Sequence, residues 1–308
     1  MKIFAFIILA ILLIGGGSGC AVLHPRESSG FVPKGKVTDE TSFNGFSVKT
    51  YRSDDGDGSF EILRGNKRVY GQHGLCFYIG GQAGNDDKAM RLPVPSADIT
   101  GNGKPNLVVY EWTGGAHCCF VARIFELGSW VKMLAEIDGR HSTPAFVDLD
   151  GDSLPEVILY DWTFEYWPGS FATSPAPKVV LHWGNGQYVP DAKLMEIPAP
   201  STEDLIQEAE SIRNDDAWND RVFNSGKYSR WFIPQQLFQT ALDLMYGGHE
   251  ELGRKFIGMA WSTKYPLDNE LLTELDELLS ESPYWTVIKR QRESNKRLHR
   301  IADKPGSR

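Results

Sequence analysis

The chain has 308 residues, 41% hydrophobic and 12% aromatic, enough apolar material for one large or two ordinary domains and too much for a disordered polymer. With 40 acidic against 32 basic side chains the formal charge is −8, which argues against a general nucleic-acid binder, because that role needs a basic face to neutralise phosphates. Only one stretch is long and apolar enough to meet a bilayer, and it lies at the N-terminus.

Residues 1–19 read Met1-Lys2, an apolar run from Ile3 to Ile14, then Gly15-Gly16-Gly17-Ser18-Gly19 ahead of Cys20. A positive start, a short apolar run and a small-residue stretch make the three-part secretory signal. Small residues directly before a Cys resemble the lipobox of bacterial lipoproteins. The resemblance implies that Cys20 becomes the first residue and carries the lipid, and two or three acyl chains together anchor stably. Gly17 stands where that motif usually has Leu, and ordinary signal-peptidase cleavage after Ala21 is the competing reading. Ala21 in place of Asp resembles the outer-membrane sorting pattern. The expectation is an exported, lipid-anchored outer-membrane protein of a bacterial envelope, facing the periplasm or the surface, with a mature charge of −9 once Lys2 is removed.

Residues 20–37 are rich in Gly, Ser, Pro and charge and read as a tether. Residues 38–198 carry strand signals. Phe46 to Thr50 alternates, residues 61–63 and 67–70 flank Gly65-Asn66, and Val179-Val180-Leu181 precedes Gly184-Asn185-Gly186. From residue 199 the period becomes helical. Ser201 and Asp204 form a capping pair, with Leu205, Ile206, Ala209 and Ile212 expected on one face. Pro234 opens a second helix and Gly247-Gly248 closes it; two more follow through Phe256-Ile257 and Leu271 to Leu279. The expected fold is α+β: an N-terminal all-β repeat domain, then a small α-helical domain over 199–308. The segment from Lys289 holds eight basic residues against Glu293 and Asp303, and reads as a solvated helix end, with attraction to anionic lipid or a partner as the alternative.

The strongest signal is internal. Residues 98–113, DITGNGKPNLVVYEWT, match residues 148–163, DLDGDSLPEVILYDWT, at an offset of 50, with six identities and mostly like-for-like exchanges elsewhere. A shorter copy, SDDGDGSFEIL, occupies 53–63. Each is an acidic, Gly-containing turn running into a strand. In the last loop Asp148, Asp150, Asp152, the Leu154 carbonyl and Glu156 fall at alternate positions, and alternate oxygens converging on one point suit a hard cation such as Ca²⁺. The first loop offers Ser53, Asp55, Asp57 and Glu61, and the middle one Asp98, Thr100, Asn102 and Asn106. Carboxylate count ranks the loops last, first, middle. The competing reading is a self-capping Asx turn without metal. Leu159 stands where an EF-hand has its bidentate Glu, and the flanks are strands. The loops resemble instead the calcium loops of FG-GAP/VCBS-type repeats, the propeller units of integrin heads and bacterial surface proteins. Three copies are too few for an ordinary closed propeller, so an incomplete or atypical one is implied.

Thr113-Gly114-Gly115-Ala116-His117-Cys118-Cys119 interrupts the middle repeat, and resembles Gly-Gly-Ala-His-Cys-Cys segments of bacterial exported proteins without an assigned function. Export favours disulfides. One of Cys118 and Cys119 pairing with Cys76 and a vicinal Cys118–Cys119 ring both stand open, with a zinc site from His73, Cys76, His117 and one of the vicinal pair as a third arrangement. Glu111 beside Trp112, Asp161 beside Trp162, and Glu165 offer carboxylates near aromatic rings, a pattern for packing, for sugar binding or for a two-carboxylate glycosidase. The reading is a non-enzymatic, lipid-anchored scaffold with calcium-binding β repeats and an unknown protein or glycan partner. The alternative is an envelope hydrolase acting on glycans or peptidoglycan.

Overall fold

The computed structural model of the protein describes residues 30–80, 93–115, 119–219 and 230–302, with side chains described to residue 297. The signal segment, Cys20, His117 and Cys118 lie outside the described residues. The strand signals resolve into β1 (Lys36–Phe43), β2 (Phe46–Arg52), β3 (Gly58–Arg64), β4 (Lys67–Gly74), β5 (Cys76–Ile79), β6 (Asn106–Trp112), β7 (Phe120–Leu127), β8 (Val131–Arg140), β9 (Ala145–Val147), β10 (Glu156–Tyr160), β11 (Lys178–Gly184) and β12 (Gln187–Pro190). They form three antiparallel sheets of four strands each, β1–β4, β5–β8 and β9–β12, and in each sheet chain neighbours are sheet neighbours. Turn chemistry sets these meanders. Between β11 and β12, Asn185 and Gly186 have φ of +53° and +80°, the left-handed pair that matches strand twist in a two-residue hairpin.

The middle sheet is covered on both faces, which is why β6 reads as the nearly unbroken apolar run Leu107-Val108-Val109-Tyr110. With side chains alternating across the strand, Leu107 and Val109 join Phe46, Val48, Phe60 and Ile62 of the first sheet in one core. Val108 and Tyr110 join a second core with Val157, Leu159 and Val179 of the third sheet. Three sheets fall short of the four to eight blades of a closed propeller, and among the described residues no propeller is seen.

Five helices follow: α1 (Thr202–Arg213), α2 (Gln235–Tyr246), α3 (Glu250–Ala260), α4 (Asn269–Glu281) and α5 (Trp285–Ala302). Ser201 caps α1, its Oγ accepting from Asp204 N at 3.1 Å. Leu205, Ala209 and Ile212 are buried as expected, but Ile206 is 44% exposed. One residue is about 100° of helix, and that turn carries Ile206 off the buried stripe.

The change from strand to helix near residue 198 is not a boundary between cores. The second core runs without a break from the middle and third sheets into Leu237, Phe238, Phe256, Leu271 and Ile288. Trp167 packs on Phe238 at 4.5 Å between ring centres, and its Nε1 donates to Glu274 at 3.1 Å. Gln291 of α5 accepts from Ala192 N at 3.0 Å and donates to the Pro190 carbonyl at 2.8 Å. Arg292 donates to the Met245 and Tyr246 carbonyls, a cation placed on the negative end of α2. The start of the basic segment is therefore built into the fold. The tether is also shorter than expected. Phe31 is buried, and Arg68 lies 4.9 Å over its ring and donates to its carbonyl at 2.8 Å. Gly71 makes the room, since a Cβ there would sit 2.8 Å from that ring. Among the described residues no helix is long and apolar enough to cross a membrane.

Candidate metal centre

The loop 148–156 joins β9 to β10 and is folded by its own acids. Asp148 accepts from Gly151 N at 2.7 Å and from Ser153 N at 3.1 Å. Those two residues have φ of +83° and +73°, which curls the chain around the carboxylate. Asp150 accepts from Asp152 N at 3.1 Å, and Glu156, buried at the start of β10, accepts from Leu149 N at 2.8 Å. These constraints bring one carboxylate oxygen each from Asp148, Asp150 and Glu156 within 4.8 Å of one another, a triad that can hold a metal ion. Asp152 turns away to accept from Leu154 N at 2.7 Å and is not part of the triad. The donors are all hard oxygens, which suit hard cations over zinc or copper. Burial pushes the Glu156 carboxyl above its ordinary range, and the neighbouring Asp150 and Asp152 charges add to this while the Leu149 amide opposes it.

The loop 98–106 leads into β6 with a matching turn and different chemistry. Asp98 accepts from Thr100, Gly101 and Asn102 N at 3.2, 2.8 and 3.3 Å, and from Gly103 N at 2.6 Å. Gly101 and Gly103 have φ of +70° and +75°, matching Gly151 and Ser153 at the offset of 50. Asn106 accepts from Ile99 N at 2.9 Å, the counterpart of the Glu156–Leu149 bond. Asp98, Thr100 and Asn106 therefore stand where the triad stands. The Thr100 hydroxyl lies 3.4 Å from Asn106 Oδ1 and 3.5 Å from Asp98 Oδ1, so a donor occupies the centre between two acceptors. Asn102 and Lys104 both bond Glu126 at 2.8 Å. Burial raises the Asp98 carboxyl, but the Gly103, Thr100, Asn102 and Gly101 amides outweigh it and hold it below its ordinary value. This loop is closed by its own protons, and the four residues expected as cation ligands do not form a carboxylate cluster.

The loop 53–61 departs further. It lies at the second hairpin of its sheet and not the first, closed by Ser53 N to the Asp57 carbonyl at 2.8 Å. Asp57 pairs with Lys34 at 2.7 Å. Glu61 is inside β3, held by Arg68 at 2.6 Å and the Tyr51 hydroxyl at 2.5 Å. Ser53, Asp55, Asp57 and Glu61 are not brought together as a cation site; Lys34 holds Asp57, and Arg68 and Tyr51 of the neighbouring strands hold Glu61.

The cysteine and carboxylate expectations also change. Cys76 is a free, buried thiol with Arg52 Nη1 at 3.5 Å, so it pairs with neither Cys118 nor Cys119. Cys119 is disulfide-bonded, to a partner outside the described residues. His73 packs its ring 4.6 Å from Phe31, and among the described residues no metal-holding group includes it or Cys76. Glu111 is buried against Arg123 at 2.5 Å. Asp161 accepts from Thr163 N and Oγ1 at 3.0 and 2.6 Å, from the Tyr246 hydroxyl at 2.6 Å and from Ser282 at 2.5 Å. Glu165 is paired with Arg140 and His141. Arg123, Tyr246, Ser282 and His141 have no signal in local spacing that would have named them as partners.

Comparison with protein-family models and with curated proteins gives no match. The likeness to FG-GAP/VCBS-type loops rests on the residues of the repeats alone.

Proposed function

We propose that the protein is a lipid-anchored envelope scaffold in which Ca²⁺, held by Asp148, Asp150 and Glu156, stiffens the third sheet so that neighbouring surfaces can bind a partner. One observation carries the cation: two loops share a turn, and three carboxylates converge in the loop 148–156 where the loop 98–106 has the Thr100 hydroxyl between Asp98 and Asn106. Calcium fits the donor spacing, since oxygens across a calcium ion lie at most about 4.6–5.2 Å apart, given Ca–O distances of about 2.3–2.6 Å. The Cys20 lipobox and the outer-membrane address support the anchor. The hydrolase alternative is weaker, because Glu111, Asp161 and Glu165 are each tied into ion pairs or hydrogen bonds with other side chains.

The test is thermal unfolding with chelator and with about 5 mM Ca²⁺, roughly fivefold above the weakest affinity expected of extracellular calcium modules. A cation at about a hundredfold its Kd adds about 2.7 kcal/mol, or about 5–10 °C in Tm, and a fivefold excess adds about 1 kcal/mol. Asp148→Asn with Asp150→Asn should remove the shift. Identical curves for the unsubstituted protein in chelator and calcium would refute the site.

A further inference from the structure

The third sheet carries a second surface feature, outside the cation loop, on the segment that follows β10. Trp162 stacks on Phe171 with ring centres 5.8 Å apart and planes 14° from parallel. His141 meets both rings edge-on at 4.7 Å, and Tyr166 packs on Phe171 at 5.6 Å. Tyr166 is nevertheless 63% exposed. On the same segment a Cβ at Gly169 would lie 3.3 Å from the Trp231 backbone, and Trp231 is 64% exposed. Polar groups border the rings. Glu165 bridges Arg140 and His141, and Trp162 Nε1 donates to Ser142 at 3.3 Å.

Backbone conformation singles out the same place. Tyr166 has φ of +59° and Arg140 φ of +49°, left-handed positions that are costly for long side chains. They are joined through Glu165. No glycine stands at either position, though glycine would relieve both. A fold that keeps large side chains on unfavourable backbone, and leaves a Tyr and a Trp open to water, is spending stability on what those side chains do.

We infer that this surface binds a neutral glycan chain, with Tyr166 and Trp231 as stacking platforms and Glu165 and Arg140 as the hydrogen-bonding edge. A pyranose ring offers an apolar C–H face to an aromatic plane and a rim of hydroxyls that both donate and accept. Glu165 supplies acceptors and Arg140 donors, and the pair offset each other's charge at this edge. The inference gives a ligand class to the binding role proposed above and is independent of the cation.

The experiment is calorimetric titration of the mature protein with a β-1,4-linked N-acetylglucosamine hexamer and an α-1,4-linked glucose hexamer, each in calcium and in chelator. Saturable binding of at least one hexamer is expected, weakened about tenfold by Tyr166→Gly and by Trp231→Ala. Tyr166→Gly removes the ring and relieves the left-handed backbone, so its Tm should be unchanged or higher, which separates lost binding from lost folding. Binding that persists in chelator supports the glycan surface even if calcium proves not to bind. Absence of saturable binding to either hexamer up to about 10 mM, or full-strength binding by Tyr166→Gly, overturns the inference, as does capture of a protein partner with no sugar response.

Discussion

Residues 98–113 and 148–163 start from the same loop and run into the same strand position, yet they end in different chemical states. Both first acids gather the amides of the turn, and both loops close through a buried side chain seven residues before the end of the copy. The divergence comes from two positions. Thr100 and Asn106 put a hydroxyl and an amide where Asp150 and Glu156 put carboxylates. The turn amides hold Asp98 as an anion, while burial and the Asp150 and Asp152 charges disfavour the Glu156 anion. A loop backbone can therefore be inherited without its ligand, and the carboxylate count at the meeting point separates a cation site from a self-sealed turn. The strands diverge as well. Tyr110 is buried and donates to the Pro144 carbonyl at 2.6 Å, whereas Tyr160 is 42% exposed.

The largest effect should come from the acids that close the two copies. Asp161→Ala strands the Tyr246 and Ser282 hydroxyls in the core between sheet and helices, at an expected cost of about 3–5 kcal/mol by denaturant unfolding. Glu111→Ala should cost less, about 1–3 kcal/mol, because Arg123 keeps Glu136 at 3.0 Å. Equal losses would show that the two acids are not distinguished by their partners. Next, Tyr110→Phe should destabilise by about 1 kcal/mol and Tyr160→Phe by less than about 0.5 kcal/mol.

The smallest effect is on pH dependence. Glu156 has a folded pKa above its ordinary value of 4.5, so in chelator its contribution to stability is fullest below that pH and is lost as pH rises through the folded pKa. Asp98 runs the other way: its contribution is present above 3.8 and is lost as pH falls through its depressed folded pKa. Glu156→Gln should therefore flatten the decline above pH 4.5 in chelator, and calcium should flatten it in the unsubstituted protein. A decline that both leave untouched would assign it to other groups.

Much of this architecture was legible because it is local. The Asn185-Gly186 hairpin, the Ser201 cap and the alternation in β2 are each set by residues a few positions apart. The offset of 50 located Asp148, Asp150 and Glu156 before any fold was known, though not that Asp152 turns to the Leu154 amide. What the pattern missed depends on side chains that arrive from other strands and segments. Arg68 and Lys34 disarm the loop 53–61, Arg52 sits over Cys76, and the shared core erases the expected division near residue 198. Spacing along a chain carries no information about which side chain arrives from across a sheet.

One exchange of side chains separates the two loops, and calorimetric Ca²⁺ titration of the Asp150→Thr, Glu156→Asn protein beside the unsubstituted one reads its effect. The double substitution writes the 98–106 chemistry into the 148–156 backbone. One saturable calcium site is expected in the unsubstituted protein and none in the double variant, with both folded to the same extent in chelator. Calcium binding of equal strength and stoichiometry in the two proteins would contradict it.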